Sequence, residues 1–127
     1  MVEFIHSFSL FDTQTYAHLT GDTNPIHTDV LYAQQHGHDN VIVHGLLVTS
    51  LFGTTIGRLK PGALYVSQEI TFHHPICIER DVRIQLKVEK YRQRLLHCST
   101  IGTFVDTNQI ALSGKARVYL NNNTILN

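Results

Sequence analysis

The sequence carries little charge, and what it carries cancels. Ten Lys and Arg stand against ten Asp and Glu in 127 residues, and the charged share is 16%, against a usual ~25%. Balanced charge excludes the clustered cationic excess that nucleic-acid or anionic-membrane binding requires. No apolar run approaches the ~20 residues of a transmembrane helix. The opening segment Met1–His6 has no basic stretch followed by an apolar run, so no secretory signal is visible. Cysteine is scarce: Cys77 and Cys98 sit in strand-like segments and are too few for a disulfide framework. They read as buried free thiols of a cytoplasmic protein. No repeat, linker or low-complexity stretch is present, so the whole of residues 1–127 is expected to form one domain. A sparsely charged surface on so small a domain implies that a partner covers part of it.

What is present is 43% hydrophobic residues, enough for a core at this length. Phe4, Phe8 and Leu10 alternate, which predicts a short strand from Glu3 to Leu10. Asp12 is expected to cap a short helix that runs through Leu19. Gly21-Asp22-Thr23-Asn24-Pro25 is a turn by composition; a second short helix is predicted over Asp29–Gln35, and His36–Asn40 is a polar loop. From His44 to Leu59 the residues are apolar nearly all round, the pattern of a buried helix, ended by Lys60-Pro61-Gly62. Beyond Gly62 the period is two. Leu64, Val66, Gln68, Ile70 and Phe72 share a face, as do Val82, Ile84, Leu86 and Val88. A hairpin turn near Tyr91–Arg94 leads to a strand from Leu95 to Val105, and a last strand carries Ile110, Leu112, Ala116, Val118 and Leu120. The tail Asn121–Asn123 is expected to fray. One buried helix followed by four long antiparallel strands is the order of an α+β hotdog fold, a curved antiparallel sheet wrapped around a long central helix.

The chemistry concentrates between Tyr16 and Ala33. Asp22 and His27 are separated by Asn-Pro, and a turn reversed at Pro25 lets carboxylate and imidazole converge. An acid and a near-neutral base at one point can orient a water and move its protons. A lone Gly-Asp-x-Asn-Pro is also an ordinary turn in which Asp and Asn bond their own backbone. The second element is Val41-Ile42-Val43-His44-Gly45, at the start of the apolar helix. There Gly45 would let a ligand approach the first unpaired N–H groups, a suitable place to stabilise an oxyanion. The plainer alternative is that His44 caps the helix and Gly45 merely permits packing.

Taken together, these segments resemble the MaoC-like dehydratases, which include the (R)-specific enoyl-CoA hydratases (hydratase 2). The shared pattern is an aromatic, then Thr-Gly-Asp-x-Asn-Pro-Ile-His, then a small residue six positions on. Here it is met by Tyr16, Thr20, Gly21, Asp22, Asn24, Pro25, Ile26, His27 and Ala33. His44-Gly45 before an apolar helix is a second landmark, and Gln68-x-x-x-Phe72 with Pro75 a third. The resemblance runs from about Ser7 to Leu120. It implies a hotdog-fold hydro-lyase acting on acyl thioesters of CoA or acyl-carrier protein, in fatty-acid or polyhydroxyalkanoate metabolism. Asp22 and His27 would hold the water, and the Gly45 N–H would hold the thioester oxygen. Asn24, Tyr16 and His44 would shape the site, with no metal and no cofactor. It also implies a homodimer joined sheet edge to sheet edge. In several members a serine lies eight residues after the glycine. Here Gly53 stands there, with Ser50, Thr54 and Thr55 nearby, and Gly53 and Gly57 would either widen the space beside the helix or let the packing around it collapse.

His36-x-His38 and His73-His74 lack a Cys or carboxylate cluster at ligand spacing and read as surface or interface histidines. His38-Asp39 could line the site entrance, and Lys87, Lys90, Arg92 and Arg94 could meet an anionic carrier. Two other functions fit the fold: an acyl-thioester hydrolase and a non-catalytic acyl-binding subunit.

Overall fold

The computed structural model describes residues 1–121. Its elements are β1 (Val2–His6), α1 (Leu10–Thr20), a single 3₁₀ turn (Pro25–His27), α2 (Val30–Gln35), α3 (Gly45–Leu59), β2 (Leu64–Phe72), β3 (Val82–Arg92), β4 (Leu95–Phe104) and β5 (Ile110–Tyr119). The five strands form one sheet in the order β1-β3-β4-β5-β2, every neighbour antiparallel.

On β3 and β5 most of the period-two stripe becomes the inner face of this sheet. On edge strand β2 it does not: Leu64, Val66 and Phe72 are exposed, and a register shift between Tyr65 and Ser67 breaks the alternation. Val88 of β3 is likewise exposed, beside the register shift before Lys90. Val82, Ile84 and Leu86 of β3, Leu96 and Cys98 of β4, and Ala116 and Val118 of β5 are buried with Val48, Phe52 and Ile56 of α3 in one cluster. Phe52 and Phe104 are fully enclosed, each worth roughly 1.5–3 kcal/mol of transfer free energy. The sheet is thus wrapped around α3, the hotdog arrangement that the order of elements implies. Among the described residues no helix is long and apolar enough to cross a membrane.

Four local expectations give way. The first strand stops at His6, and Phe8 is buried beyond its end, its carbonyl accepting from Glu79 N–H at 2.7 Å. Helix α1 is capped by Ser9 and not by Asp12. Ser9 Oγ accepts from Asp12 N–H (3.2 Å) while Asp12 Oδ2 accepts from Ser9 N–H (2.9 Å), a reciprocal capping box that places Asp12 at the third helical position. Helix α3 is buried along one stripe and not all round: the sheet covers Val48, Phe52, Thr55 and Ile56, whereas Leu46 is 64% exposed and Leu59 48%. Asn121 is tied down, its amide donating to the Gly62 carbonyl at 2.9 Å; Asn122 and Asn123 lie outside the described residues.

The β3–β4 hairpin turns on Gln93 and Arg94, at φ 53° and 63°. That left-handed pair matches the twist of the strands, without the Asn-Gly that usually signals it.

Candidate active site

The site begins where α1 ends. Gly21 takes the left-handed conformation (φ 79°), its N–H donating to the Ala17 carbonyl, and so turns the chain off the helix axis. Each motif side chain then bonds the backbone just beyond it. Thr20 Oγ1 accepts from Asp22 N–H (3.2 Å), Asp22 Oδ1 from Asn24 N–H (3.3 Å), and Asn24 Oδ1 from Ile26 N–H (3.3 Å). Pro25 opens the 3₁₀ turn that follows. The segment is therefore the Asp/Asn turn that its composition predicts. The turn also delivers His27 beneath Asp22.

His27 Nδ1 lies 2.6 Å from the Ile42 carbonyl oxygen. A carbonyl can only accept, so Nδ1 carries the proton and Nε2 of the neutral ring keeps its lone pair. Ile42 is itself held on two sides, its N–H on the Ile26 carbonyl (2.9 Å) and its backbone in an isolated antiparallel bridge to Cys77. The orientation of His27 is thus set by tertiary pairing.

His44 occupies the N-cap position of α3 but makes no capping bond. Its ring is 3% exposed, packed between Tyr16 (4.5 Å between centroids) and His27 (3.9 Å, 24° between planes). Its Nε2 donates to the Asp22 carbonyl at 3.2 Å and lies 4.0 Å from Asp22 Oδ2. Nδ1 is buried without a partner. Burial pushes the His44 pKa below its ordinary 6.5, helped by the nearby His27 and opposed by the bond and charge of Asp22. His44 is therefore a neutral imidazole protonated on Nε2.

Asp22, His27 and His44 each place one ligand-type atom within 4.8 Å of the others. That spacing alone would suit a metal ion, but the two stacked imidazoles do not. Their planes are only 24° apart at 3.9 Å between centroids, so one ion cannot lie in both ring planes at the ~2 Å of a metal–nitrogen bond.

Gly45 opens α3. A Cβ there would fall 2.7 Å from Phe72 Cζ, so the missing side chain makes room for the Phe72 ring. Because His44 does not cap the helix, the first N–H groups receive no side-chain acceptor from it. His27 and Gly45 both face a cleft of about 420 Å³, whose other walls include Ile42, Leu46, Val48, Phe72 and Ile76. Its lining is largely apolar, interrupted by the His27 imidazole, the N-terminus of α3 at Gly45, and His73 and His74.

The structure brings Asp22, His27, Tyr16, His44 and Gly45 together. Asn24 stays in the turn, its Oδ1 accepting from Ile26 N–H. His38 and Asp39 do not line the cleft, and His36 stacks on Tyr32 at 4.1 Å. Lys87, Lys90, Arg92 and Arg94 are also absent from it; Lys90 lines a separate groove with His97, Lys115 and Arg117. The hydroxyls of Ser50, Thr54 and Thr55 all bond carbonyls of their own helix, at 2.6, 3.2 and 2.9 Å, so none replaces a serine at Gly53. Tyr65 comes within 3.9 Å of the position a Gly53 Cβ would take, while Gly57 faces open space. Sequence reasoning missed the Ile42 carbonyl, which no side-chain pattern could reveal. It also set aside His73 and His74, which line the cleft.

A sheet wrapped around a central helix, with an Asp/His pair beside that helix's N-terminus, is the arrangement of a hotdog-fold domain of the hydratase type. The MaoC like domain family matches residues 8–108, and the chain belongs to that family. It is 29% identical over 116 residues to the (R)-specific enoyl-CoA hydratase of Aeromonas caviae, covering 89% of this chain and 87% of that one. The solved structure of the A. caviae (R)-hydratase involved in PHA biosynthesis superposes with a TM-score of 0.89 at 26% identity, covering 94% and 93% of the two chains. A mitochondrial 3-hydroxyacyl-[acyl-carrier-protein] dehydratase of Arabidopsis thaliana is 41% identical over 75 residues. That match covers 59% of this chain and spans less than half, 45%, of the plant protein.

Proposed function

We propose that the protein is a hydro-lyase interconverting trans-2-enoyl and (R)-3-hydroxyacyl thioesters, with residues 1–127 forming one MaoC-like hotdog domain. The observation that carries this reading is the His27 Nδ1 bond to Ile42. It leaves a basic Nε2 beside the Asp22 carboxylate, on the cleft that the N-terminus of α3 also reaches.

In hydration, the Gly45 N–H donates to the thioester oxygen as electron density moves onto it, and the helix terminus adds its partial positive charge. One such donor is worth about 3 kcal/mol of barrier. A water held between Asp22 and His27 attacks the β-carbon. His27 Nε2 takes its proton, while the carboxylate orients the water and offsets the imidazolium charge. The C–O bond forms as the double bond shifts to the enolate. His27 then returns the proton to the α-carbon on the same face, so one water is added in total. Dehydration is the reverse. No step calls on a metal or a cofactor.

The two relatives differ in thioester carrier, CoA in one name and acyl-carrier protein in the other, and either carrier fits the cleft chemistry. Exposed Leu64 and Val66 on edge strand β2 support pairing with a second copy. Two unpaired thiols, Cys77 and Cys98, favour a reducing compartment such as the cytoplasm.

The test follows the ultraviolet absorbance of the conjugated bond of crotonyl-CoA, with free thiol read in the same cuvette. The expected result is loss of absorbance without thiol release, with Asp22→Asn and His27→Ala each at least ~100-fold slower. Thiol release would make the protein a hydrolase instead. Silence on both channels, across acyl lengths and carriers, would leave an acyl-binding subunit.

A further inference from the structure

The cleft has a second polar end that the proposed chemistry does not use. Beyond Phe72 the chain leaves β2 as His73-His74-Pro75, and all three residues line the same cleft as His27 and Gly45. Both histidines are exposed, so they stand at its rim. The rim is fixed in place: the N–H groups of His73 and His74 both donate to the Ala111 carbonyl, at 2.7 and 3.1 Å. His73 Nε2 lies 2.7 Å from Ser113 Oγ on β5. Between the two ends the walls are Ile42, Val43, Leu46, Val48 and Phe72. The cleft thus joins His27 and Gly45, apolar walls and two exposed imidazoles in one lining.

A thioester substrate has a matching order of parts. Its reacting carbons and carbonyl belong at His27 and Gly45. Its carrier arm must leave through the opening, and that arm ends in phosphate whether the carrier is CoA or a carrier protein. Imidazoles donate N–H bonds to phosphate oxygens, and add charge where protonated.

We propose that His73 and His74 form a phosphate-recognition rim that positions the carrier arm of the thioester at the mouth of this cleft. The inference rests on the thioester reading of the site, and its test separates the two. Three crotonyl thioesters are compared: CoA, 4′-phosphopantetheine, and phosphate-free N-acetylcysteamine. The measured quantity is the ratio of kcat/KM for each phosphorylated substrate to that for the phosphate-free one. In His74→Gln and in His73→Gln/His74→Gln this ratio falls, by about tenfold in the double variant. The fall lies in KM and not in kcat. A fall for phosphopantetheine as well as CoA assigns the contact to the phosphate that both carriers share. A fall for CoA alone moves the contact to the nucleotide end and overturns the assignment to the arm phosphate. An unchanged ratio, or an equal loss on all three substrates, overturns the rim.

Free CoA binding by calorimetry supplies a readout that needs no turnover. If wild-type protein hydrates none of the thioesters yet binds CoA, and the variants bind it about tenfold more weakly, the rim stands and the hydratase reading fails. If the wild type is active and CoA binding is indifferent to both histidines, the reverse holds. His74 makes no side-chain bond among those described, so the single variant keeps the rim folded, and glutamine at position 73 retains a partner for Ser113.

Discussion

The imidazoles of His27 and His44 lie face to face, 3.9 Å between centroids and 24° between planes. His44 is the enclosed member, with its pKa lowered by burial, so in the proposed mechanism the proton from water goes to His27. The neutral ring has a second task. Through Nε2 it grips the Asp22 carbonyl and so locks the turn carrying the carboxylate to the start of α3.

That bond predicts a split between two replacements of His44. His44→Phe keeps the ring stack and removes the donor, whereas His44→Gln keeps an N–H near Nε2 and removes the ring. The phenylalanine variant should lose about tenfold or more in kcat with KM little changed, and the glutamine variant less. Steady-state kinetics of both decide it. The opposite order would mean that stacking, and not the Asp22 bond, holds the turn.

The same residue makes the protein less stable in acid. Below its ordinary pKa of 6.5, His44 binds a proton in the unfolded chain but not in the folded one. Stability therefore falls as the pH drops through 6.5, and this contribution levels off once the pH is below the depressed native value. Urea unfolding from about pH 7.5 down to about pH 5 should show a steeper loss for wild type than for His44→Gln. Equal slopes would place the proton elsewhere.

Gly45 answers to Phe72. Gly45→Ala puts a methyl group 2.7 Å from Phe72 Cζ and should cost about 1–3 kcal/mol of stability. Adding Phe72→Leu should recover most of that loss. If activity returns along with stability, the glycine serves ring packing more than substrate approach; if activity stays low, the substrate also needs the bare backbone. Thermal melts and the crotonyl-CoA assay on the same preparations separate the outcomes.

The two thiols should differ in reactivity. Cys98 is 2% exposed, and burial, with Glu89 nearby, pushes its pKa up. Cys77 is only half-buried. A disulfide reagent should consume one thiol quickly in the native protein and the second only on unfolding. Mass spectrometry of Cys77→Ser and Cys98→Ser assigns each.

Much of this protein is written in local pattern. The period-two stripes on β3 and β5 name their inner faces because a pleated strand offers its side chains alternately, whereas the stripe on edge strand β2 stays exposed. Thr20, Asp22 and Asn24 prescribe their own turn because each short polar side chain reaches the next free N–H. The pairing of Asp22 with His27 was legible for the same reason. Ser9 and Asp12 carry a capping-box spacing that reading the cap at Asp12 passed over.

What the sequence could not decide depended on partners distant in the chain. The tautomer of His27 is chosen by the Ile42 carbonyl, a backbone atom with no side-chain signature, held there by an isolated backbone bridge to Cys77. The neutrality of His44 comes from enclosure by Tyr16 and His27. The need for glycine at position 45 comes from the ring of Phe72. The exposed flank of α3 at Leu46 and Leu59 exists because a five-stranded sheet covers one side of a helix whose composition is apolar on most sides. Sequence by itself determined which groups could do the chemistry. The tertiary structure decided which of their atoms are free to do it, because proton positions and enclosure belong to the folded packing and not to any one segment.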